Sequence, residues 1–375
     1  MLYKGLADFL EPFAQPSSPA SQTAAHTVKF RLKQEARRVH TLAFTVRVTT
    51  NAVALTGAAW GGLAAIVKEI RVRVNDVLGS RNAIAVSGIG CLSYWRQVNG
   101  TLDSLTMDAY GSAGFATSTT YEITYVIPLR QPQFAEPYGN VLSLPLSQNW
   151  LREDVIVEVD FHDIGAAGTV FTTNPPTYTA AHTFELAAWM HNVPEGTPYI
   201  PSELRSDTFA PTSTAGAAYE FPSSGWLTGF LVQGLSGDFG NAVTRATPFS
   251  SEGQFRMEYG RDIVRRLKPR HLRVMNEQSI SNFPSLANSN IASSFLASRQ
   301  WPHELMFDFL NDGPGAAPFS VNSIYGLDTQ LMGGDKMRFI FNDAASTSIR
   351  AHITHHRLLP RKPEDLQILA AQVGA

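Results

Sequence analysis

The sequence has almost no cysteine and little charge, and both shortages limit the kind of protein it encodes. Cys91 is the only cysteine in 375 residues, which excludes an internal disulfide framework and every multi-cysteine metal site. Charged residues make up only 17% of the chain, below the roughly 25% typical of soluble proteins. We therefore expect a fold that is stabilised by packing and has much of its surface buried against other protein.

Long apolar runs and a charge imbalance are also missing. The sequence contains no run of about 18 apolar residues, the length that would predict a membrane-spanning helix. Lys4 is soon followed by Asp8 and Glu11, so we expect no secretory signal and expect synthesis in the cytoplasm. The formal net charge is −2, so we expect no general attraction to nucleic acid or to anionic membranes.

The first 15 residues contain apolar side chains at three- and four-residue spacings, which is typical of a short amphipathic helix. These side chains are Leu2, Leu6, Phe9, Leu10 and Phe13. The rest of the segment, up to residue 25, is small, polar and rich in proline, which predicts a linker. The helix could dock on its own domain, on a partner subunit or on membrane lipid, and the sequence leaves these three open.

From residue 26 onward the apolar residues recur with period two, which predicts strands with one buried face. The clearest predicted strands cover 28–32, 40–48, 66–74, 155–161 and 183–189, and then 226–233, 304–309, 336–341 and 348–355. Many short strands with polar connections indicate an antiparallel β-sandwich. Ser251–Val274 is the exception, because apolar residues four apart predict a helix there.

The ends of the two halves of the chain repeat one order of elements. In each half an apolar strand leads to a short strand, then to a strand that begins with aspartate, and then to a final strand closed by proline. The repeat predicts one sandwich fold used twice. The predicted divisions are 1–25 for the helix and linker, 26–194 and 195–360 for the two sandwiches, and 361–375 for a tail.

Three parts of the chain carry a resemblance to a known family. They are the strand Ile66–Asn75, the strand Glu122–Leu129 with the proline-rich loop after it, and the two sets of terminal strands. In these parts the chain resembles the double jelly-roll major capsid proteins of tailless icosahedral bacteriophages that enclose an internal membrane. The resemblance extends over about residues 26–360 and rests on strand order, length and spacing.

This resemblance implies an all-β chain of two tandem eight-stranded jelly rolls, with a short N-terminal helix and few loop helices. It implies that three copies form a pseudo-hexagonal capsomer and that capsomers tile a virion shell. The implied partners are further copies, neighbouring capsomers, other capsid proteins such as the penton, and the internal membrane, reached by the N-terminal helix. No specific nucleic acid is implied, and the implied place of synthesis is the host cytoplasm.

Other functions stay open at this point. A carbohydrate-binding sandwich module is one, with Trp60 and Trp95 as its only candidate residues, and a receptor-binding spike protein is another. A sandwich enzyme acting on glycosides is more remote, although its paired carboxylates can lie far apart in sequence. We predict no catalytic residue, no cofactor and no metal ligand.

Two groups of side chains suggest chemistry but have simpler explanations. His352, His355 and His356 crowd the last strand, yet on a strand only the first and third share a face, about 13 Å apart. That distance is too long for one ion, so we expect surface or interface histidines. Asp160 with His162 and Asp163 could form an acid–base set, but their place at a strand end favours turn chemistry.

Glycine and arginine clusters complete the candidates. Gly88-Ile-Gly90 and Gly111–Gly114 lack the strand and helix context of a phosphate-binding loop, so we expect flexible loops. A basic cluster near residue 265 comprises Arg261, Arg265, Arg266, Lys268, Arg270 and Arg273. It predicts an intersubunit or intrachain charge contact, while a solvated face and a contact with lipid or nucleic acid phosphates stay open.

Overall fold

A computed structural model describes most of the chain, and the statements below concern the residues that it describes. These are 6–15, 23–50, 55–58, 61–99, 102, 105–106, 114–116, 118–129, 141–163, 171–173, 182–193, 197–209, 217–235, 254–259, 262–268, 271, 304–309, 327–329, 336–342 and 350–360. The chain divides into two compact units. Unit 1 holds residues 1–205 and 239–245, and unit 2 holds residues 206–238 and 246–375. Within the described ranges, every helix falls short of the length and apolar character needed to cross a bilayer.

Unit 1 is built from antiparallel strands, as its alternating sequence predicts. Its strands are β1 (Leu6–Leu10), β2 (His26–Leu32), β3 (Arg38–Thr49), β4 (Leu55–Ala58), β5 (Val67–Asp76), β6 (Gly79–Val86), β7 (Gly114–Phe115), β8 (Thr120–Pro128), β9 (Leu144–Pro145), β10 (Val155–Phe161), β11 (Phe171–Thr173) and β12 (Thr183–His191). One main sheet has the order β1-β12-β3-β8, with β9 also paired to β3, and the other has the order β6-β5-β10-β2. A small third sheet has the order β11-β4-β7.

The core of unit 1 lies between its two main sheets. Val28 and Phe30 of β2 and Val157 of β10 have no exposed surface. The ring of Phe44, on the first sheet, lies 5.9 Å from the Phe30 ring and 6.0 Å from the Tyr125 ring, measured between centroids. Because alternate residues of each strand face this aromatic centre, the remaining residues of the same strands form the outer faces.

Two helical segments lie in unit 1, a 3-10 helix at Gly62–Ile66 and helix α1 at Gly88–Asn99. The side-chain oxygen of Ser87 accepts a hydrogen bond from the Gly90 N–H at 2.9 Å, which is the geometry of a helix N-cap. A Cβ atom at Gly88 would lie 2.6 Å from the Val67 carbonyl oxygen, so this first residue must be glycine. The prediction of a flexible loop at Gly88–Gly90 is therefore wrong. These residues form the first turn of α1, which Ser87 caps and which packs closely against the backbone of Val67 at Gly88.

Unit 2 repeats the sandwich architecture. Its strands are β13 (Ser202–Phe209, of which residues from Ser206 belong to unit 2), β14 (Ala217–Glu220), β15 (Trp226–Leu235), β16 (Gln254–Tyr259), β17 (Asp262–Leu267), β18 (Glu304–Asp308), β19 (Leu327–Asp328), β20 (Met337–Asn342) and β21 (Arg350–Leu358). One sheet has the order β18-β15-β21-β13, with β19 also paired to β15, and the other has the order β14-β20-β16-β17. The core is aromatic: the Phe230 ring stacks on Phe307 at 4.5 Å and meets the edge of Phe339 at 5.3 Å.

The strand connectivity of unit 1 is the same as that of unit 2. In both units the first strand pairs with the last, the last with the third, and the third with the sixth of eight main strands, giving β1-β12-β3-β8 and β13-β21-β15-β18. The other sheets correspond in the same way, as β2-β10-β5-β6 and β14-β20-β16-β17. The short strands β9 and β19 even pair with equivalent partners. The predicted use of one sandwich fold twice is confirmed.

The predicted N-terminal helix is wrong over Leu6–Leu10, which form strand β1. This strand pairs antiparallel with β12, from Leu6 opposite Met190 to Leu10 opposite Leu186. Apolar residues four apart share a face in a helix and also in a strand, so the spacing alone did not decide between them. The edge of β12 supplies backbone hydrogen bonds to the strand, whereas a short helix in water is marginal.

The helix predicted at Ser251–Val274 is wrong over Gln254–Tyr259 and Asp262–Leu267, which form strands, for the same reason. Strands β16 and β17 form an antiparallel pair, from Phe255 opposite Leu267 to Tyr259 opposite Asp262. Phe255 and Met257, two residues apart, are both buried in the unit 2 core. The four-residue spacing therefore reflects every second position on one face of a strand.

Candidate interaction surfaces

The N-terminal segment, defined as residues 6–15, contacts the edges of both main sheets of unit 1. Its strand β1 extends the first sheet at β12. Beyond β1, the Phe13 N–H donates to the Lys29 carbonyl and the Lys29 N–H donates to the Ala14 carbonyl, each at 2.9 Å. Because Lys29 lies in β2, the last strand in the order of the second sheet, the segment links the two sheets along this side of the sandwich.

The same segment leaves two aromatic rings exposed. Phe9 is 69% exposed and Phe13 is 52% exposed. The Arg31 guanidinium lies 5.1 Å from the Phe13 ring centroid, and Arg37 Nη2 lies 2.8 Å from the Asp8 carboxylate. Polar contacts thus hold the segment while its phenylalanine rings stay exposed.

The other residues of the predicted stripe have different surroundings. Leu10 is half-buried, only the backbone of Leu6 is described, and Leu2 lies outside the described residues. A role of this stripe in contacting a partner or lipid stays a prediction.

A row of alternating charges lies on the outer face of the second sheet of unit 1. Lys29, Glu158 and Arg71 occupy adjacent positions on β2, β10 and β5. Lys29 Nζ lies 2.9 Å from Glu158 Oε1, and Arg71 Nη2 lies 3.5 Å from Glu158 Oε2. The residues flanking Glu158, Val157 and Val159, are fully buried in the core, so Glu158 points outward. We call these three charged residues the plus-minus-plus row.

The surroundings of Glu158 keep it ionised although its side chain is only 7% exposed. Burial opposes ionisation, but the hydrogen bond from Lys29 and the charges of Lys29, Arg71 and Arg73 outweigh it and lower the pKa of Glu158. Arg73 Nη1 lies 3.4 Å from Glu158 Oε1. Arg71 also contacts Asp160, at 2.6 Å. The sign pattern of the row is therefore fixed at neutral pH.

A second row lies on the equivalent sheet of unit 2, with the signs reversed. Glu220, Arg338 and Glu258 occupy adjacent positions on β14, β20 and β16. Arg338 Nε lies 3.4 Å from Glu220 Oε1, and Arg256 Nε lies 2.7 Å from Glu258 Oε1. A hydrogen bond from Lys336 at 2.9 Å lowers the pKa of Glu220 and keeps it ionised. We call Glu220, Arg338 and Glu258 the minus-plus-minus row.

Sequence reasoning did not find either row, because the charges of one row lie on three different strands. The only signal in the sequence is a charged residue between two apolar ones, as in Val157-Glu158-Val159 and Met337-Arg338-Phe339. That signal marks an outward position, but it does not give the register that places three such positions side by side.

The basic cluster is only partly described. Arg265 and Arg266 lie in β17, opposite Met257 and Arg256 of β16. Lys268, just after the strand, is half-buried, and its carbonyl accepts a hydrogen bond from the His271 N–H at 3.0 Å. The remaining members, Arg261, Arg270 and Arg273, lie outside the described residues. An intersubunit role for the cluster stays a prediction.

The prediction of surface or interface histidines on the last strand is wrong. His352, His355 and His356 of β21 are 4%, 0% and 1% exposed. His356 Nδ1 lies 2.6 Å from the Thr228 hydroxyl, and His352 Nδ1 lies 3.2 Å from the Thr208 hydroxyl. Burial lowers the pKa of His352 and of His356 to about 3, so both rings are neutral at pH 7. No group of three or more metal-ligating side chains converges within the described ranges.

The other described residues that the sequence suggested for catalysis or binding lie in or beside strands and helices. Asp160 lies inside β10, and the His162 N–H donates to the Ile66 carbonyl at 2.9 Å where the strand ends. Burial lowers the pKa of His162 to about 4. Trp95 is half-buried in α1, and Trp60 lies outside the described residues. Only Gly114 of the second glycine pair is described, and it lies in β7.

Two eight-stranded sandwiches with one connectivity define the double jelly-roll fold. No protein-family model matches the sequence, and no curated protein does. Solved structures that share the fold of this chain include three viral capsid structures. The major capsid protein of Sulfolobus Turreted Icosahedral Virus is 10% identical, with a TM-score of 0.62 over 97% of this chain and 99% of that chain. The major capsid protein P2 of bacteriophage PM2 is 9% identical, with a TM-score of 0.56 over 96% of this chain and 99% of that chain.

The third similar structure is the capsid of PBCV-1 virus. Its chain is 8% identical, with a TM-score of 0.59 over 94% of this chain and 93% of that chain. At such low identity the similarity establishes the fold, and the chain has the double jelly-roll fold of these capsid proteins.

Proposed function

We propose that this chain is a major capsid protein, whose copies associate and tile an icosahedral virion shell. The observation that supports this proposal most directly is the length of the match to the capsid proteins of three viruses, which covers 94–97% of this chain. Both jelly rolls therefore have a counterpart in the neighbours. A partial match would have left one roll without one.

The tandem architecture suits a trimeric building block. Two similar sandwiches per chain give six similar sandwiches around a threefold axis in a trimer. Six similar sandwiches approximate a hexagon, and hexagonal units tile a surface without gaps. Three identical chains related by a closed threefold axis are enough to form such a unit. The proposed assembly unit is therefore a homotrimer that contacts neighbouring trimers and other capsid proteins such as a penton.

The N-terminal segment and the basic cluster are proposed contact sites within that assembly. The exposed rings of Phe9 and Phe13 supply an apolar surface for another capsid chain or for an internal lipid membrane. Arg265 and Arg266 lie in β17, the last strand in the order of its sheet, where a charged partner edge would fix the register of a contact. The proposed place of action is the virion capsid, after synthesis in the host cytoplasm.

The alternative functions have weaker support. A carbohydrate-binding module or a spike protein would need an exposed binding surface, and of the two candidate tryptophans only Trp95 is described, half-buried in a helix. The three fold neighbours are capsid proteins rather than enzymes. We therefore propose a structural, non-enzymatic role.

The oligomeric state tests this proposal. The full chain is purified and its mass measured by light scattering after size-exclusion chromatography and by sedimentation velocity. We expect a trimer, with a mass three times 41.0 kDa, and electron micrographs that show hexagonal units. A protein that stays monomeric at micromolar concentration would contradict the proposal, and a monomer retained on glycan columns would favour the carbohydrate-binding alternative.

A further inference from the structure

One sheet edge of unit 1 is covered by a strand from further along the chain. Strand β6 lies at the end of its sheet and pairs with β5 on one side. On its other side Ile84 and Ala85 pair in parallel with Leu204 and Arg205, which are the last residues of unit 1 in this part of the chain and lie in β13. The last strand of one sheet thus accepts the first main strand of the sandwich that follows it in the sequence.

The equivalent edge in unit 2 has no such strand beside it in the described part of the chain. Strand β17 corresponds to β6 in the shared connectivity, and within the described ranges it pairs with β16 alone. Strand β1 corresponds to β13, and among the described residues it pairs only with β12, whereas β13 has a neighbour on each side. Each copy therefore presents two strand edges whose backbone N–H and carbonyl groups can pair with a further strand.

We propose that β17 of one copy pairs in parallel with β1 of a second copy of this chain. This inference rests on the proposed function, because it names the strands by which copies of a capsid protein associate. The contact repeats between copies the pairing that β6 makes with β13 within one chain, so no copy is turned over relative to the next. It is a head-to-tail contact, and three copies in which every β17 meets a β1 close into a ring.

The pairing within one chain indicates which sides of the two strands are joined. Ile84 lies opposite the buried Val72, is 2% exposed, and is on the core side of β6. Leu204 pairs with Ile84 and has no exposed surface. Leu204 lies five positions before Phe209, which packs on the unit 2 core, so Leu204 is on the other face of β13. The residue that joins the core side of β6 is therefore one that faces away from the core of its own sandwich.

Phe9 is the residue of β1 that fits this description. Its neighbour Leu10 pairs with Leu186, which has no exposed surface. Leu10 is therefore on the core side of β1, and Phe9 is on the outer side. The Phe9 ring is 69% exposed, and pairing of β1 with β17 buries part of this apolar surface against the next copy, which favours association.

The pairing of β16 with β17 identifies the position that Phe9 joins. Leu267 pairs with Phe255, which is buried in the unit 2 core, so position 267 is on the core side of β17. We place Phe9 beside Leu267, rather than two residues earlier beside an arginine, because both residues are apolar. In this register Asp8 of one copy lies beside Arg266 of the other.

The edge of β1 is negative when the side chains around Asp8 are counted with it. Arg37 Nη2 lies 2.8 Å from the Asp8 carboxylate and 2.7 Å from the Glu35 carboxylate. One cation is thus shared by two carboxylates, which leaves the three side chains with one net negative charge. Glu11, just after the strand, is exposed and adds a second negative charge. The Asp8 side chain is itself 42% exposed, so a cation of another copy can reach it.

The edge of β17 is positive when it is counted in the same way. Arg266 lies opposite Arg256 in the sheet, and Arg256 Nε lies 2.7 Å from Glu258 Oε1. Two cations and one carboxylate leave one net positive charge at these three positions. The other charged residues of β17 and of the position after it add a further net positive charge, and they are Asp262, Arg265 and Lys268. The two edges therefore attract one another, and two identical edges repel.

The first experiment places one cysteine on each side of the proposed contact. The variant with Phe9→Cys and Leu267→Cys is assembled and oxidised, and its chains are separated under denaturing conditions without reductant. We expect covalent dimers and covalent trimers that disappear on reduction, because each copy joins one neighbour through each cysteine. The matched control combines Phe9→Cys with Glu153→Cys, an exposed position outside both strands, and should give no covalent trimer. Burial raises the pKa of the native Cys91 to about 12, so this thiol stays protonated and unreactive.

The second experiment reverses a charge and then restores the pairing. Arg266→Asp brings like charges together at Asp8, and we expect self-association to weaken by about tenfold or more in sedimentation velocity. Adding Asp8→Arg to this variant restores opposite signs and should recover most of the lost association. Arg152→Asp, the same substitution at an exposed position outside both strands, should associate like the unmodified chain.

The third experiment uses the unmodified protein, so it does not depend on the folding of a variant. Hydrogen exchange is measured at the backbone amides of β1 and β17 in the assembled protein and in the protein diluted until its copies separate. Pairing of the two edges protects amides of both strands, so we expect slower exchange in the assembled protein. The amides of β10, which pairs on both sides within one chain, should exchange equally in the two states.

The outcomes separate the inference from the proposed function. Covalent trimers, restored association of the doubly reversed variant and protection of β1 and β17 support the inference. A trimeric protein whose β1 and β17 amides exchange equally in both states, or whose double-cysteine variant assembles without forming covalent trimers, overturns the inference and leaves the capsid proposal standing. An unmodified chain that stays monomeric overturns both.

Discussion

Acid should destabilise unit 2 through two buried histidines, and the structure gives the size of the effect. His352 and His356 lie on β21, and burial lowers the pKa of each to about 3 from the ordinary 6.5. The charge of Asp207 works against this effect at His352, while the charges of His355 and Arg357 add to it at His356. Protonation of either ring in the folded protein is therefore strongly disfavoured.

The direction follows from proton uptake by the unfolded chain. In the unfolded chain each histidine binds a proton below its ordinary pKa of 6.5, whereas in the folded protein it binds one only below about pH 3. The free energy of unfolding therefore falls as the pH drops from 6.5 to about 3. Above pH 6.5 this contribution to stability is fully present. Within this window each histidine lowers the free energy of unfolding by about 1.4 kcal/mol per pH unit. By about pH 5 the loss is about 2 kcal/mol for one ring and about 4 kcal/mol for the pair.

Urea unfolding with hydrogen exchange at the amides of β21 measures this loss in unit 2 itself. Between about pH 7.5 and about pH 5, the variant with His352→Gln and His356→Gln should lose about 4 kcal/mol less than the unmodified protein. Only the change with pH is compared, so a constant destabilisation of the variant cancels. The control is Ile353→Val on the same strand, which changes a buried side chain but removes no titratable group, so it should leave the pH dependence unchanged. Equal losses in the double variant and the unmodified chain would refute the reasoning.

Three further predictions concern stability, each measured as the free energy of unfolding in urea. Tyr125→Phe should cost about 1–2 kcal/mol, because it removes the hydrogen bond that the buried Tyr125 hydroxyl donates to the Ala64 carbonyl at 2.7 Å; no change in the free energy of unfolding would contradict this. Gly225→Ala should cost more than Gly79→Ala, since both have positive φ but only at Gly225 would a Cβ atom meet a carbonyl oxygen, at 2.2 Å; equal costs would contradict this. Phe339→Ala should cost about 3–5 kcal/mol in unit 2, because the ring is fully buried among aromatic neighbours, and a much smaller loss would mean that the core collapses around it.

The strands could be predicted from the sequence wherever polar and apolar residues alternate. The strand predicted at 155–161 has the bounds of β10, and the one at 226–233 lies within β15. In both segments one face is buried in a sandwich core, so the burial pattern has the same period as the sequence. The repeated order of elements at the ends of the two halves was enough to predict the duplicated fold, because that order follows the connectivity of the strands.

Prediction failed where one spacing is compatible with two structures. Phe255 and Tyr259, four residues apart, share a face in a helix and in a strand, and only the pairing of β16 with β17 and β20 decides for the strand. The first strand was missed for the same reason, since its partner β12 lies almost at the other end of unit 1. Long-range pairing is not visible in a local pattern.

The candidate surfaces were harder to predict than the fold. Phe9 and Phe13 are exposed, and the interaction surface on the N-terminal segment stays a prediction, while the segment forms a strand rather than a helix over Leu6–Leu10. The rows of alternating charge depend on register across three strands, which a single sequence does not reveal. The burial of His352 and His356 depends on the packing around β21, and polar residue types alone favour the surface.

The pairing of β1 with β12 also has a consequence for synthesis on the ribosome. The paired residues are far apart in sequence, from Leu6 with Met190 to Leu10 with Leu186. Strand β1 can therefore pair with β12 only after nearly all of unit 1 has been translated, so the first sheet of unit 1 is completed late in synthesis.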